Sequence, residues 1–182
     1  MKKCYVFLAE GFEETEAITI IDVLRRGQLI VDIVSITGKK EVTGAHGIKV
    51  LAEKLFEDTS YEDGSMLILP GGMPGSNNLN SHSGLKKLIQ SYDESGKYLG
   101  AICAAPLVFG GLGLLKGKEA ICYPGFEDKL VGATISDKNT VFAGKVITSK
   151  GIISAVEFGL AIVKELQGGE ICRNVADGLL VE

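Results

Sequence analysis

Apolar residues follow two alternating rhythms along this chain. KCYVFLA near the start, LIVDIVSIT (29–37), MLILP (66–70) and KYLGAI (97–102) are nearly continuous apolar runs of strand length. That is the pattern of strands covered on both faces. Between the runs the spacing becomes helical. EETEAITIIDVLRRG puts Ala17, Ile20, Ile21 and Leu24 on one face and ends near Gly27. SHSGLKKLIQSYDESG and ISAVEFGLAIVKELQGG predict further amphipathic helices with glycine stops, and EICRNVADGLLV a short last one. EVTGAHGIKVLAE alternates about a glycine-bracketed turn and predicts a hairpin. NTVFAGKVITS predicts a second, turning at Ala143-Gly144. EAICYP and GATISD read as two more strands, with Cys122 alternating inside the first. GGMPGSNNLN reads as the most turn-rich loop.

Alternating strands and helices predict an α/β fold. We expect one domain over residues 1–182, a three-layer αβα sandwich around a flavodoxin-like, mostly parallel sheet. Ligands in such folds sit outside the carboxyl ends of the strands, near the switch point. The segments EGFEETE, PGGMPG and CAAP leave those ends and are expected to meet.

Composition narrows the function classes. The 182 residues are 46% hydrophobic and 23% charged with net charge −4, which argues against an electrostatic binder of nucleic acid or anionic membranes. No signal-peptide pattern and no apolar stretch of membrane-spanning length occurs, so a cytoplasmic location is expected. Cys4, Cys103, Cys122 and Cys172 are widely spaced without a C-x-x-C motif, and we expect four free thiols. Only two histidines are present, His46 and His82, so a histidine-rich metal site cannot be built from one chain. No metal and no cofactor is expected. The glycines of GGLGLLKGKE lack P-loop and dinucleotide spacing and read as helix stops.

One cysteine stands out by position. In KYLGAICAAPLVFGG, Cys103 lies where a strand meets a small-residue helix, the nucleophile position of a strand–Cys–helix elbow. Helix-terminal amides there favour a thiolate, predicting a thiol pKa below the free value of about 8.5. Amides of Ala104 and of the facing Gly71-Gly72 loop are candidates for an oxyanion nest. The residues alone leave a reactive thiol and a packed core thiol both open. Cys4 and Cys122 read as structural, and Cys172 is assigned no role.

AEGFEETEA, LILPGGMPGSNNL, GAICAAP and TSKGIISAVEFGLAIVKELQGG, in that order, resemble the ThiJ/PfpI superfamily, and within it the DJ-one branch. The similarity runs from about residue 3 to about residue 180. It implies that Cys103 is the reactive residue. Among Glu10, Glu13, Glu14 and Glu16, whose plainest role is charge at a helix N-terminus, periodicity puts Glu13 nearest the apolar face. The resemblance instead selects Glu16 as the acid against the cysteine. An ionised carboxylate would repel a thiolate, so Glu16 is expected to be protonated, the two titrating as a pair. The chain departs from the resemblance at three positions. The usual histidine near the cysteine is replaced by Tyr123, and Ala104 directly follows the cysteine, so neither route to a Cys-His dyad is open. His46 stands where relatives carry an anion-binding arginine; its plainer reading is a residue decorating an exposed hairpin, and it is also a candidate substrate contact. His82 reads as a surface residue. The resemblance also implies a homodimer built on the first helix, near Asp22 and Arg26, whose plainer reading is a solvated face. Ile18 lies off that helix's main apolar face.

The implied activity is a cofactor-independent reaction on small reactive carbonyls, glyoxalase III-like or deglycase-like. The alternatives are an oxidative-stress sensor or chaperone acting through Cys103 oxidation, and a thiamine (thiazole) link resting on the superfamily's name alone.

Overall fold

In the computed structural model, residues 2–181 are described. Strand β1 (Lys3–Leu8) lies inside the main sheet, and every side chain from Cys4 to Leu8 is fully buried. Its alternate residues face two cores. Val6 and Leu8 pack with Ile20, Leu24, Phe158 and Ile162, whereas Tyr5 and Phe7 pack with Leu85, Ile89 and Phe109. An apolar run without alternation is therefore what both faces demand. The first core lies under α1 (Glu14–Arg26), α5 (Ala155–Gln167) and α6 (Gly169–Gly178). The second lies under α3 (Ser83–Glu94) and α4 (Pro106–Gly111). Each fully buried Leu, Ile or Phe side chain contributes about 1.5–3 kcal/mol.

β1 pairs in parallel with β2 (Ile30–Ser35) on one side and β6 (Met66–Leu69) on the other. Beyond β6 come β7 (Tyr98–Ile102) and β11 (Val146–Ser149), also parallel. The short β5 (Lys54–Leu55) extends the β2 edge, and β10 (Thr140–Ala143) closes the other edge antiparallel to β11. Among the parallel strands of four residues or more, chain order reads second, first, third, fourth, fifth across the sheet, the flavodoxin-like arrangement. Its switch point lies between β1 and β6, where connections leave in opposite directions. The three-layer αβα expectation matches this architecture.

Several local expectations need correction. The loop after β6 contains a helix, α2 (Gly75–Ser81), started at Pro74 and joined directly to α3. EAICYP and GATISD shrink to β8 (Glu119–Ala120) and β9 (Thr134–Ile135), which pair with each other outside the main sheet. Cys122 is buried beyond the end of β8 rather than inside a strand. The hairpin of β3 (Glu41–Thr43) and β4 (Lys49–Leu51) forms as expected. The β10–β11 turn falls one residue later than predicted, because Ala143 pairs with Val146 and leaves Gly144-Lys145 at the tip. His82 is half-buried, caps α3 by accepting the Leu85 amide at Nδ1, and packs edge-on against Phe56. Among the described residues no helix is long and apolar enough to cross a membrane.

Candidate active site

The three loops meet at the carboxyl end of the sheet. The Glu13 amide donates to the Gly71 carbonyl at 2.8 Å and the Gly75 amide to the Gly11 carbonyl at 3.0 Å, stitching the β1–α1 loop to the loop after β6. Cys103 follows β7 directly and takes φ +62°, a left-handed conformation that a non-glycine residue adopts only when its surroundings enforce it. The enforcing contacts are visible on both sides. Its amide donates to the Ser149 carbonyl at 2.9 Å, and its carbonyl accepts the Tyr123 amide at 2.8 Å. The α4 helix starts only at Pro106, so the sulfur does not sit on the first turn of that helix. The amides of Gly72 and Ala104 pull its pKa down instead.

Glu16 is fully buried in the first turn of α1. Its Oε2 accepts the Gly71 amide at 2.9 Å, while its Oε1 is buried without a hydrogen-bond partner. Gly71 must be glycine here: a Cβ would lie 2.4 Å from the Cys103 Cβ and 2.7 Å from the Glu16 Oε2. Gly71 thus permits the approach of acid and thiol, and its amide is engaged by the acid. Of the three amides expected at an oxyanion nest, that of Gly71 is taken by Glu16, and those of Gly72 and Ala104 face the sulfur.

The two acids disturb each other. Burial pushes the Glu16 carboxyl up to about 7, against the Gly71 amide and the Cys103 thiol, which pull the other way; the Glu13 charge adds to the rise. Burial and then the Glu16 carboxylate push the Cys103 thiol up to about 12, against the pull of the Gly72 and Ala104 amides. The expected depression of the thiol is therefore reversed, because desolvation and a neighbouring carboxylate outweigh two amides. With one proton between them the pair has two arrangements: an ionised acid beside a thiol, or a neutral acid beside a thiolate. In the second the repelling charge is gone and two amides face the anionic sulfur.

A cavity of about 400 Å3 opens above the pair, walled by Glu13, Glu16, Cys103, Tyr123, Pro124, Lys150, Gly151, Ile152 and Ile153. Tyr123 is in the wall, 51% exposed. Glu13 caps α1, its Oε2 accepting the Glu16 amide at 2.6 Å, and so fixes the backbone that carries the acid. Glu14 does more than charge a helix end. Buried, it accepts the amides of His46 and Ile48 and meets His46 Nδ1 at 2.9 Å, pinning the β3–β4 hairpin. His46 is thereby held by Glu14 and is not in the cavity wall. Glu13, Glu14 and His46 bring ligand-type atoms within 4.8 Å of one another, but those carboxylates already serve backbone amides. Asp22 and Arg26 pair with each other at 2.7 Å on the exposed face of α1. Sequence reading missed Lys150, Gly151, Ile152 and Ile153. They open the TSKGIISAVEFGLAIVKELQGG block, which by itself names no chemistry for them, and only the pairing of β11 with β7 brings them beside Cys103.

The DJ-1/PfpI family pattern matches residues 2–165. The chain belongs to the DJ-1/PfpI family. Protein dj-1beta of Drosophila melanogaster is 36% identical over 182 residues, covering 99% of this chain and 97% of the relative. Protein DJ-1 homolog B of Arabidopsis thaliana is 38% identical over 182 residues, 99% of this chain. The chain spans less than half the length of the two Arabidopsis relatives, 42% of homolog B and 47% of homolog A. The structure of oxidised Toxoplasma gondii DJ-1 superposes with a TM-score of 0.95 at 33% identity, covering 100% of this chain and 99% of that one.

The thiols differ in setting. Cys4 and Cys122 are buried, which pushes each up to about 12, and Cys172 donates to the Leu160 carbonyl at 3.3 Å outside this site. Cys103 alone opens on the cavity beside two amides. Iodoacetamide at neutral pH should therefore alkylate Cys103 first, with Cys4 and Cys122 protected until unfolding. Peptide mass spectrometry over time reads the order, and earlier labelling of any other cysteine overturns the assignment.

Proposed function

We propose that this protein is a cofactor-independent cysteine enzyme acting on small reactive carbonyls, with methylglyoxal as the test substrate. One observation carries the reading: a fully buried carboxyl with its pKa pushed up to about 7 lies against a cysteine held at positive φ, in the wall of a largely apolar cavity. A carboxyl near 7 both gives and takes a proton at neutral pH. The Cys103 thiolate adds to the aldehyde carbon, forming a C–S bond while the carbonyl electrons move to oxygen. The amides of Gly72 and Ala104 receive the developing oxyanion, and Glu16 protonates it. The Glu16 carboxylate so formed takes the proton from C1 and returns it at C2, while the hydroxyl proton passes from the C1 oxygen to the C2 oxygen. C1 is oxidised to a thioester and C2 reduced to an alcohol, so the electrons balance within the substrate. One water then releases lactate and restores the thiol. Tyr123, without a nearby base role, shapes the wall. The test is lactate formation from methylglyoxal by the wild type, Cys103→Ser and Glu16→Gln.

A second reading is favoured by the unpartnered Glu16 Oε1 and by the oxidised state of the similar Toxoplasma gondii protein. Two equivalents of a peroxide would take the thiolate to sulfinate, and a neutral Glu16 would donate to its oxygen. That chemistry suits an oxidative-stress sensor using the same two residues.

We also propose a homodimer through the α1 face. Ile18 on α1 and Ile152 and Ile153 before α5 are exposed, Ile153 by 90%. Sedimentation equilibrium at micromolar concentration should give twice the chain mass of 19.3 kDa, and monomer alone would remove any role for Asp22 or Arg26 across subunits.

A further inference from the structure

Lys150 is a cation in the cavity wall that the chemistry above does not use. It is half-buried, and among the described residues its ammonium makes no ion pair or hydrogen bond. Four other half-buried lysines are partnered: Lys3 and Lys54 hold Asp32, Lys97 the Glu62 carbonyl, and Lys118 the Leu114 carbonyl. Among the described residues Lys86 on α3 is unpartnered like Lys150 but lines no part of this cavity. The Lys150 backbone is rigidly placed. The Lys150 amide donates to the Asn139 carbonyl at 2.9 Å. On one side, the Ser149 carbonyl takes the Cys103 amide. On the other, Gly151 is held by the buried Ser154 hydroxyl, which accepts its amide at 3.2 Å and donates to its carbonyl at 2.9 Å. Ser149 Oγ donates to Ser154 Oγ at 2.7 Å, closing a buried hydroxyl chain under the segment. A lysine anchored beside the elbow, next to the apolar Pro124, Ile152 and Ile153, puts one basic residue in the wall of the cavity that Cys103 also lines.

The opposing charge in the wall is Glu13, on the α1 side, with its Oε2 engaged by the Glu16 amide. An anionic group entering the cavity is repelled from that side and attracted to the other. We propose that Lys150 is a specificity-determining residue that binds the carboxylate of the substrate, so that the preferred substrates are 2-oxoaldehydes carrying a carboxylate at the far end. This rests on the carbonyl chemistry proposed above. The aldehyde carbon then faces Cys103 and Glu16 while the carboxylate pairs with the ammonium, a charge-assisted contact in a partly dry site. The balanced reaction is unchanged: 4,5-dioxopentanoate plus water gives 2-hydroxyglutarate, with the proton and two electrons passing from the aldehyde carbon to its neighbour.

Two readouts test it. The first is the ratio of kcat/KM for 4,5-dioxopentanoate to that for neutral 2-oxopentanal, which has the same chain length. The second needs no turnover. It is the ratio of Cys103 alkylation rates by iodoacetate and by iodoacetamide, one anionic and one neutral, each taken relative to a free model thiol. Both ratios should fall about tenfold in Lys150→Gln and further in Lys150→Glu. Lys86→Gln, on the half-buried but distant α3, should leave both unchanged. Equal ratios in wild type and Lys150→Gln overturn the proposal, whatever the turnover. If neither oxoaldehyde is turned over but the alkylation ratio still depends on Lys150, the anion-binding role stands and the enzymatic reading falls.

Discussion

Cys103→Ser should lower methylglyoxal turnover at least about 1,000-fold while leaving the fold intact. Serine differs from cysteine by one atom and meets the same backbone demand at φ +62°, where the Ser149 carbonyl and the Tyr123 amide hold the residue. Stability should therefore change little, and a urea titration beside the assay separates lost chemistry from lost structure. The chemistry should be lost because a hydroxyl is a far weaker acid than a thiol. The arrangement in which Glu16 holds the proton and the nucleophile is anionic becomes inaccessible. Retention of more than a tenth of wild-type turnover would place the nucleophile elsewhere. A wild type as inactive as the variant would move the sensor reading ahead of the enzyme.

Glu16→Gln should cost about 100- to 10,000-fold in turnover, the range for a proton-transferring group. Three further signs separate this role from simple packing. Glutamine carries no charge, so the carboxylate that raises the Cys103 pKa is gone and the thiol should titrate lower than in the wild type, still open to iodoacetamide. Turnover and nucleophilicity then move in opposite directions, which a packing defect would not produce. The third sign is stability. Folding raises the Glu16 pKa from its ordinary 4.5 to about 7, so the folded state binds the proton more tightly than the unfolded chain. The stability this contributes is fully present below pH 4.5 and is lost as pH rises towards 7, on the order of 3 kcal/mol. Glu16→Gln lacks this dependence. Denaturant melts at pH 4.5 and pH 7.5 should show the wild type losing stability relative to the variant. A parallel pH profile for both proteins would show that Glu16 does not hold a raised pKa.

The layers of the fold were legible in the order of residues because burial on both faces leaves a chemical trace. CYVFLA lacks alternation since Val6 and Leu8 face one core and Tyr5 and Phe7 the other. Ala17, Ile20, Ile21 and Leu24 mark the inner face of α1, and all are buried. Short elements left no such trace. A two-residue strand such as β8 has no period, and α2 hides in Gly-Ser-Asn residues that usually make turns, because packing on its neighbours outweighs weak propensity.

At the site, residue order alone determined that Cys103 stands at a strand end facing a helix, and that a glycine pair and a cluster of acids leave neighbouring strand ends. It could not choose the acid. Helical spacing favoured Glu13, and family resemblance favoured Glu16. Only the tertiary structure shows why both are buried: Glu13 caps the amide of Glu16, and Glu16 reaches the Gly71 amide. The direction of the thiol shift was likewise beyond the sequence. A strand–helix join promises stabilising amides, but desolvation and a neighbouring carboxylate act through space, and their strength follows from a burial that no local pattern encodes. Lys150 belongs to the same class. Its charge is plain in the sequence, while its place in the Cys103 cavity exists only because β11 pairs with β7.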